Sequence, residues 1–264
     1  MAMKFSVLAS GSTGNAIYVE TDHKRLLIDA GLSGKKMEAA LHAIGISPSK
    51  LDAILVSHEH SDHVKGVGIL ARRYKLPIYA NEKTWKAMDL MIGAVPNDLR
   101  FHMNRGAVET FGDLDIETFG VSHDAADPMF FSFRHDGRNM TILTDTGYVS
   151  DHMAGIAKEA DTLIFESNHD MDMLRMGKYP WSVKRRILGD EGHVSNMDAG
   201  TALAEIIKGR SAEVYLAHLS LDNNMKDLAR MTVEQTLNHK DIDTFQDVKL
   251  HDTDPYYPTP LRYV

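Results

Sequence analysis

The chain has 264 residues, and its 29 Lys and Arg against 37 Asp and Glu give a formal net charge of −8. It has no cysteine, which excludes disulfides, thiolate zinc sites, iron–sulfur clusters and a cysteine nucleophile. No stretch approaches the roughly 18 apolar residues of a membrane span, and the apolar run from Phe5 to Ala9 is too short for a signal peptide. We therefore expect a cytoplasmic protein with no membrane partner.

Short strands and helices alternate along the whole chain. No flexible linker, low-complexity tract or repeat interrupts it, so we expect one domain over residues 1–264. The apolar patterns predict strands at 4–9, 16–20, 25–29, 53–57, 116–122, 140–144, 162–165 and 214–217. Helices are predicted at 33–44, 64–74 and 196–208, and the tyrosine-rich segment 254–264 is expected to be extended with its rings packed on the body. This alternation is typical of an α/β protein.

One hexapeptide, His58-Glu59-His60-Ser61-Asp62-His63, is dense in side chains that bind metals. It follows a predicted strand and precedes a predicted helix, so it forms a loop that can direct several side chains to one point. Imidazole suits zinc, iron and manganese, and carboxylate suits harder ions. The alternative is a polar surface loop, which so many ligand-type residues within six positions disfavour.

Further ligand-type residues stand just past the ends of four predicted strands, namely His123, Asp145, Glu166 and His218. Sites in α/β sheets assemble beyond the carboxyl ends of strands. Any one of these residues could instead cap a turn or fill the core. Together with the hexapeptide they predict a dinuclear metal centre.

This arrangement resembles the metallo-β-lactamase superfamily, whose signature is HxHxDH followed by a later His, an Asp and a final His. The resemblance implies that a first metal ion is held by His58, His60 and His123. It implies that a second ion is held by Asp62, His63 and His218, with Asp145 bridging the two. The implied fold is an α/β four-layer αββα sandwich of two mixed sheets face to face, with the metals at one edge. The two divalent ions could be zinc, manganese or iron, since all three accept these ligands.

Several further motifs look like those of the YycJ/WalJ group within that superfamily: LASGSTGN (8–15), TDTG (144–147), ESNHD (166–170), GHVSN (192–196) and AHLSLDNN (217–224). This closer resemblance implies a 5′→3′ exonuclease acting on double-stranded DNA, with a role in DNA repair. The order of Glu166, His193 and His218 is also similar to ribonuclease Z. The long substrate-binding arm of ribonuclease Z has no counterpart here, which makes transfer-RNA processing the weaker expectation.

Two divalent ions about 3.5–4 Å apart can share a hydroxide at neutral pH and stabilise both the attacking and the leaving oxygen of a phosphodiester. The leaving oxygen also needs a proton. Glu166 could hold one ring nitrogen of His193 and leave the other to donate that proton. The alternative is that His193 only caps or fills space. The predicted catalytic residues are Asp62, Glu166 and His193.

The acidic net charge argues against a nucleic-acid partner, but two divalent ions would make the site locally positive. The stretch 175–186 has five basic residues and no acidic ones, with Tyr179 and Trp181 among them. It is expected to overhang the site and track a DNA backbone, or equally to be a solvated helix face with Trp181 in the core. The predicted substrate contacts are His169, Lys184, Arg185, Arg186, Ser195, Asn223 and Asn224.

Other functions stay open at this point. An RNA-processing enzyme or a small-molecule phosphodiesterase would use the same centre. A glyoxalase II-like thioester hydrolase would use a similar ligand set without needing the Glu166–His193 pair. An accessory protein with a purely structural metal is disfavoured, because structural zinc usually has a closed shell of four ligands.

Overall fold

The computed structural model describes residues 2–244 and 246–264. The strands are β1 Lys4–Ala9, β2 Ala16–Glu20, β3 Arg25–Ile28, β4 Ala53–Leu55, β5 Ile78–Ala80, β6 Arg100–His102, β7 Val108–Phe111, β8 Leu114–Gly120, β9 Met129–His135, β10 Arg138–Leu143, β11 Thr162–Glu166, β12 Ala212–Ala217, β13 Val248–Asp252 and β14 Arg262–Tyr263. The α-helices are α1 Gly34–Ala43, α2 Ser61–Val64, α3 Val67–Tyr74, α4 Glu82–Ile92, α5 Asp151–Ala157, α6 Met171–Met176, α7 Trp181–Ile187, α8 Asn196–Ile207 and α9 Lys226–Asn238. Within the described ranges, no helix has the length and apolar character needed to cross a membrane.

The strands form two seven-stranded sheets of mixed direction. The first sheet has the order β14-β1-β2-β3-β4-β5-β6, antiparallel from β14 to β3 and parallel from β3 to β6. The second sheet has the order β13-β12-β11-β10-β9-β8-β7, parallel from β13 to β10 and antiparallel from β10 to β7. The parallel half of each sheet gathers the loops that follow its strands at one edge.

The inner strands β1 to β4 of the first sheet are buried on both faces, because their alternate side chains enter two different hydrophobic clusters. Val19 and Leu26 pack in the cluster that also contains the second sheet, whereas Tyr18 and Leu27 pack with α1, α3 and α4. This is the two-residue period of a strand. Helices α5, α8 and α9 lie on the second sheet. The four-layer αββα sandwich of two mixed sheets is therefore confirmed.

All eight predicted strands are present, with ends that differ by two residues or fewer. The single helix predicted at 64–74 is wrong, because the chain forms α2 and α3 with a break at Gly66. The amide of Gly66 donates to Ala30 O at 2.7 Å, and a Cβ there would lie 2.5 Å from Leu32 O. The loop after β3 thus lies so close to Gly66 that a residue with a side chain does not fit there. The helix is interrupted at this point of contact.

The prediction that the aromatic rings of 254–264 pack on the body is also wrong. Tyr256, Tyr257 and Tyr263 are all exposed. The segment is held by its backbone instead: the Ser10 amide donates to Asp254 O at 3.1 Å, and the Thr259 amide donates to Val7 O at 2.9 Å.

Candidate metal centre

The predicted metal ligands lie beyond the ends of β4, β8, β10 and β12, with Asp62 and His63 in the short helix α2, and Glu166 is the last residue of β11. Three residues within two positions of a strand end, Asp29, Asp145 and His218, have positive φ angles of 57°, 53° and 55°. This left-handed conformation is costly for residues with a Cβ and persists only where the surroundings fix it, which is common at functional sites. The backbone therefore turns sharply at the strand ends that carry the site.

A first cluster of donor atoms comes from His58, His60 and His123, all within 4.8 Å of one another. His60 Nδ1 lies 3.2 Å from His123 Nε2. The His58 ring centroid lies 4.7 Å from that of His60 and 5.2 Å from that of His123. Nε2 of His58 is buried and has no hydrogen-bond partner among the residues that the structure describes. A buried ring nitrogen without a partner is costly unless a ligand occupies the space that it faces.

The ring nitrogens of His60 and His123 that point away from the cluster identify which nitrogen of each ring carries the proton. His60 Nε2 is 3.2 Å from Asp124 O, and His123 Nδ1 is 3.3 Å from Gly192 O. Because a carbonyl oxygen can only accept, these two nitrogens carry the ring protons. The inner nitrogens of His60 and His123 are then lone-pair donors. With His58 Nε2 they present three lone pairs to one point, which fits a divalent metal ion.

A second cluster lies beside the first and comes from Asp62, His63 and His218. Asp62 Oδ2 is 3.7 Å from His63 Nε2 and 3.8 Å from His218 Nε2. Asp145 lies between the clusters: its Oδ2 is 3.6 Å from His63 Nε2, and its Oδ1 is 3.9 Å from His123 Nε2 and 3.0 Å from His218 Nδ1. Ligands about 2.0–2.1 Å from a tetrahedral zinc ion stand about 3.4 Å apart, close to these separations. The structure thus brings together all seven residues whose role as ligands stays a prediction.

Charges in the second cluster are strongly coupled. Burial opposes a proton on His63 and His218, but the neighbouring carboxylates, Asp145 foremost, together outweigh it and raise the pKa of both rings well above the usual value. Burial likewise opposes ionisation of Asp145, yet these two histidines hold its pKa well below the usual range. Carboxylates that favour protons on histidine also favour a divalent cation in their place.

Two neighbours of these clusters were not identified from the sequence. Asp29 Oδ2 accepts a hydrogen bond from His63 Nδ1 at 2.7 Å and another from the Ser57 hydroxyl at 2.6 Å. The Asn15 amide nitrogen lies 3.0 Å from His63 Nε2 and 3.2 Å from Asp62 Oδ2. Asp29 is the last residue of the strand predicted at 25–29, so its place at the carboxyl end of a strand could have identified it. Asn15 lies in a Gly- and Ser-rich turn and gives no comparable signal.

Glu166 and His193 form the predicted pair at the side of both clusters. Glu166 Oε1 accepts from His193 Nδ1 at 2.7 Å and from His218 Nδ1 at 3.0 Å, while Oε2 accepts from the Thr146 amide at 3.0 Å. Burial would raise the pKa of Glu166, but His193 and His218 outweigh it and lower the pKa to about 2. The carboxylate is therefore ionised and fixes a proton on Nδ1 of His193, which leaves Nε2 free.

A cleft of about 280 Å³ opens onto both clusters and His193. The wall facing the clusters is formed by Tyr179 and by Val183, Arg186 and Ile187 of α7. Arg186 is paired with Asp124, whose Oδ1 lies 3.0 Å from Arg186 Nη2. The basic stretch 175–186 therefore overhangs the candidate centre.

The predicted substrate contacts, which stay a prediction, lie in different surroundings in the fold. Lys184 is buried, and its amine donates to Arg175 O at 2.6 Å and to Gly177 O at 2.7 Å, so it holds the turn before α7 together. Arg185 is exposed, as a contact residue would be. Trp181 is 60% exposed, so the alternative that it fills the core is also wrong.

The remaining four predicted contacts are buried. Ser195 caps α8 by accepting from the Asp198 amide at 3.1 Å. The Asn224 side chain donates to Ser167 O at 2.9 Å and thereby joins two loops. Asn223 is 1% exposed, and His169 is 1% exposed with no hydrogen-bond partner at either ring nitrogen. The lining of the cleft includes none of these four side chains, so their role as substrate contacts stays a prediction.

Two mixed sheets packed face to face, with paired clusters of His and Asp at one edge, define a metal-dependent hydrolase of the metallo-β-lactamase fold. A family model described as "Beta-lactamase superfamily domain" matches residues 24–254. The metallo-β-lactamase fold protein YhfI from Bacillus subtilis has a similar structure, with a TM-score of 0.75 at 17% identity, covering 98% of this chain and 100% of that one.

Closer relatives match over the full length. The chain is 57% identical over 264 residues to Exodeoxyribonuclease YycJ from Bacillus anthracis, covering 100% of both chains. It is 50% identical over 266 residues to Exodeoxyribonuclease WalJ from Streptococcus pneumoniae, covering 100% of this chain and 99% of that one. The chain therefore belongs to the YycJ/WalJ family of the metallo-β-lactamase superfamily.

Proposed function

We propose that this protein is a metal-dependent exodeoxyribonuclease that hydrolyses the phosphodiester bonds of double-stranded DNA in the 5′→3′ direction. The names of its full-length relatives at 57% and 50% identity support DNA as the substrate. The observation that carries the proposal is the position of His193, held by the buried Glu166, in the cleft that both donor clusters face. A proton donor beside a pair of cation sites suits the cleavage of a phosphodiester.

We propose two divalent ions, zinc, manganese or iron, as the cofactors. The first would be held by His58, His60 and His123, the second by Asp62, His63 and His218, with Asp145 shared between them. When bound, such ions supply a nucleophilic hydroxide at neutral pH and offset the negative charge that develops on the phosphate.

The protein's own groups position the substrate and move the proton. The ionised Glu166 keeps a proton on His193 Nδ1, so Nε2 can take a second proton and donate it to the leaving oxygen. The His193 ring lies between the clusters, with its centroid 5.0 Å from that of His123 and 5.1 Å from that of His218. Arg186, on the opposite wall, can exchange Asp124 for a phosphate oxygen, since both present paired acceptors to a guanidinium.

The test is degradation of a 5′-phosphorylated DNA duplex by protein loaded with manganese or zinc, compared with an RNA duplex, a small phosphodiester and a thioester. We expect the DNA duplex to be degraded fastest, with products released from its 5′ end. His193→Ala should lower kcat about 100-fold or more at unchanged metal content, because a positioned acid contributes that much. His23→Ala, at an exposed turn, is the matched control. Faster cleavage of RNA or thioester, or full kcat in His193→Ala, would contradict the proposal.

Two further expectations belong to this proposal. A single domain over residues 1–264 agrees with clusters whose ligands come from loops of both sheets. A cytoplasmic location agrees with DNA as the substrate in a bacterial cell.

A further inference from the structure

Helix α7 has two faces with different surroundings. Val183 and Ile187, one turn apart, line the cleft together with Arg186. Trp181 and Arg185, also one turn apart, lie about half a turn around the helix from them and are exposed. The helix therefore divides the cleft from an outer surface that carries an aromatic ring and a guanidinium.

The segment that contains α7 is held in place at several points. The Lys184 amine donates to the carbonyl oxygens of Arg175 and Gly177, which fixes the turn before the helix. Arg186 ties the helix to Asp124 in the loop after β8. The guanidinium of Arg185 is exposed and has no hydrogen-bond or ion-pair partner among residues 2–244 and 246–264. Asp190 and Glu191 line the same surface pocket without pairing with it, so its charge is available to an anion.

The cleft beneath α7 is small for its proposed substrate. Its volume of about 280 Å³ is at the lower limit for a site that holds one small ligand. Both strands of a duplex cannot enter such a space together. Enzymes that act on a nucleotide inside a pocket must first unpair and unstack it, and apolar side chains inserted at a base step assist this separation.

We propose that α7 is a wedge that separates the two strands at the end of a DNA duplex. The strand to be cleaved passes beneath α7 along Arg186, and the complementary strand passes over the outer face, where a base stacks on Trp181 and a phosphate binds Arg185. This proposal rests on the proposed function and extends it to the form of the substrate. We assign a single DNA strand to the outer face because this face carries a positive charge and is continuous with the cleft. An aromatic ring beside a guanidinium without a partner is typical of surfaces that bind single strands.

The test compares two DNA substrates that differ only at one end. One is a blunt 5′-phosphorylated duplex, and the other has the 5′-terminal nucleotides of the cleaved strand mismatched and therefore already unpaired. In manganese-loaded protein, Trp181→Ala should lower kcat on the blunt duplex about tenfold, the effect of losing one base–aromatic stack, and leave kcat on the unpaired substrate within about twofold. Trp181→Phe, which keeps a ring, should recover most of the loss. Tyr263→Ala, an exposed aromatic residue on β14, is the control and should behave as the wild type on both.

A second measurement does not depend on cleavage. A 2-aminopurine base at the duplex end should become more fluorescent when wild-type protein binds in the presence of a chelator, and less so with Trp181→Ala. An equal loss of kcat on both substrates, or no loss on either, would overturn the wedge while leaving the nuclease proposal intact. A wild-type protein that degrades neither DNA substrate would instead refute the proposed function itself.

Discussion

Replacing Asp29 by Asn tests how the histidines of the centre are oriented. The two carboxylate oxygens of Asp29 accept three hydrogen bonds, from the Ser57 amide at 2.8 Å, the Ser57 hydroxyl at 2.6 Å and His63 Nδ1 at 2.7 Å. An Asn side chain has nearly the same shape but presents an NH₂ group where one of these oxygens stood. One donor must then face another donor.

The least costly arrangement keeps the Asn oxygen on the Ser57 amide and directs the NH₂ group at His63. The His63 ring can accommodate this only by moving its proton from Nδ1 to Nε2, the nitrogen that faces Asp62 and Asp145. The second cluster then loses a lone-pair donor. Removing such an outer partner of a metal-binding histidine costs about 10- to 100-fold in metal affinity. If the ring keeps its proton on Nδ1, the facing donors instead destabilise the fold by about 1–3 kcal/mol.

Metal affinity is measured by competition with a chelator, and stability by urea unfolding of the chelator-treated protein. We expect Asp29→Asn to weaken metal binding about 10-fold or more. Asp52→Asn is the matched control, since Asp52 is exposed, accepts only the Arg25 amide at 2.7 Å and can do so equally well as an amide. Wild-type metal affinity together with wild-type stability in Asp29→Asn would refute this account of the centre.

Three further changes test the surroundings of the site. A Cβ on Gly31 would lie 1.6 Å from Asp62 O, so Gly31→Ala should displace the metal-binding loop and lower both Tm and metal content, whereas Gly155→Ala meets nothing within 4 Å and should leave both unchanged. Burial lowers the pKa of His169 to about 4, below the ordinary histidine value of 6.5. Protonation therefore favours the unfolded chain as the pH falls from about 6.5 toward 4, and His169→Phe should remove about 2 kcal/mol of the stability lost between pH 7 and pH 5, measured by urea unfolding. Lys184→Met leaves two carbonyl oxygens without a donor and should cost about 1–3 kcal/mol of stability. The salt dependence of DNA binding should be unchanged in that variant, and a flatter dependence would return Lys184 to the DNA surface.

The sequence was most informative for candidate ligands that lie close together in the chain. One short segment after β4 contains four of them: His58, His60, Asp62 and His63. It can bring these side chains together regardless of how the rest of the chain folds. Strands also constrain their neighbours, because a residue that follows a parallel strand must lie at the shared carboxyl edge. Both arguments depend only on local patterns, which explains why the strands and this group of residues could be predicted together.

The substrate contacts could not be predicted in the same way, because they depend on which face of a short helix is buried. Lys184, Arg185 and Arg186 are consecutive, and a helix directs consecutive side chains about 100° apart. One is therefore buried, one is exposed and one lines the cleft. The burial of Asn224 and Ser195 depends equally on loops that are distant in sequence, so their polar character alone did not distinguish structural from functional contacts.

Each donor cluster takes ligands from both sheets. The loop after β4 of the first sheet supplies His58 and His60, and the loop after β8 of the second sheet supplies His123. The second cluster likewise combines His63, which follows β4 of the first sheet, with His218, which follows β12 of the second sheet. Since neither sheet holds a complete set, the donor atoms converge only when the two sheets pack against each other, and the shared hydrophobic core between them is what sets the distances in the centre. A metal that binds this arrangement also stabilises the packing that creates it, because it binds the folded chain and not the unfolded one.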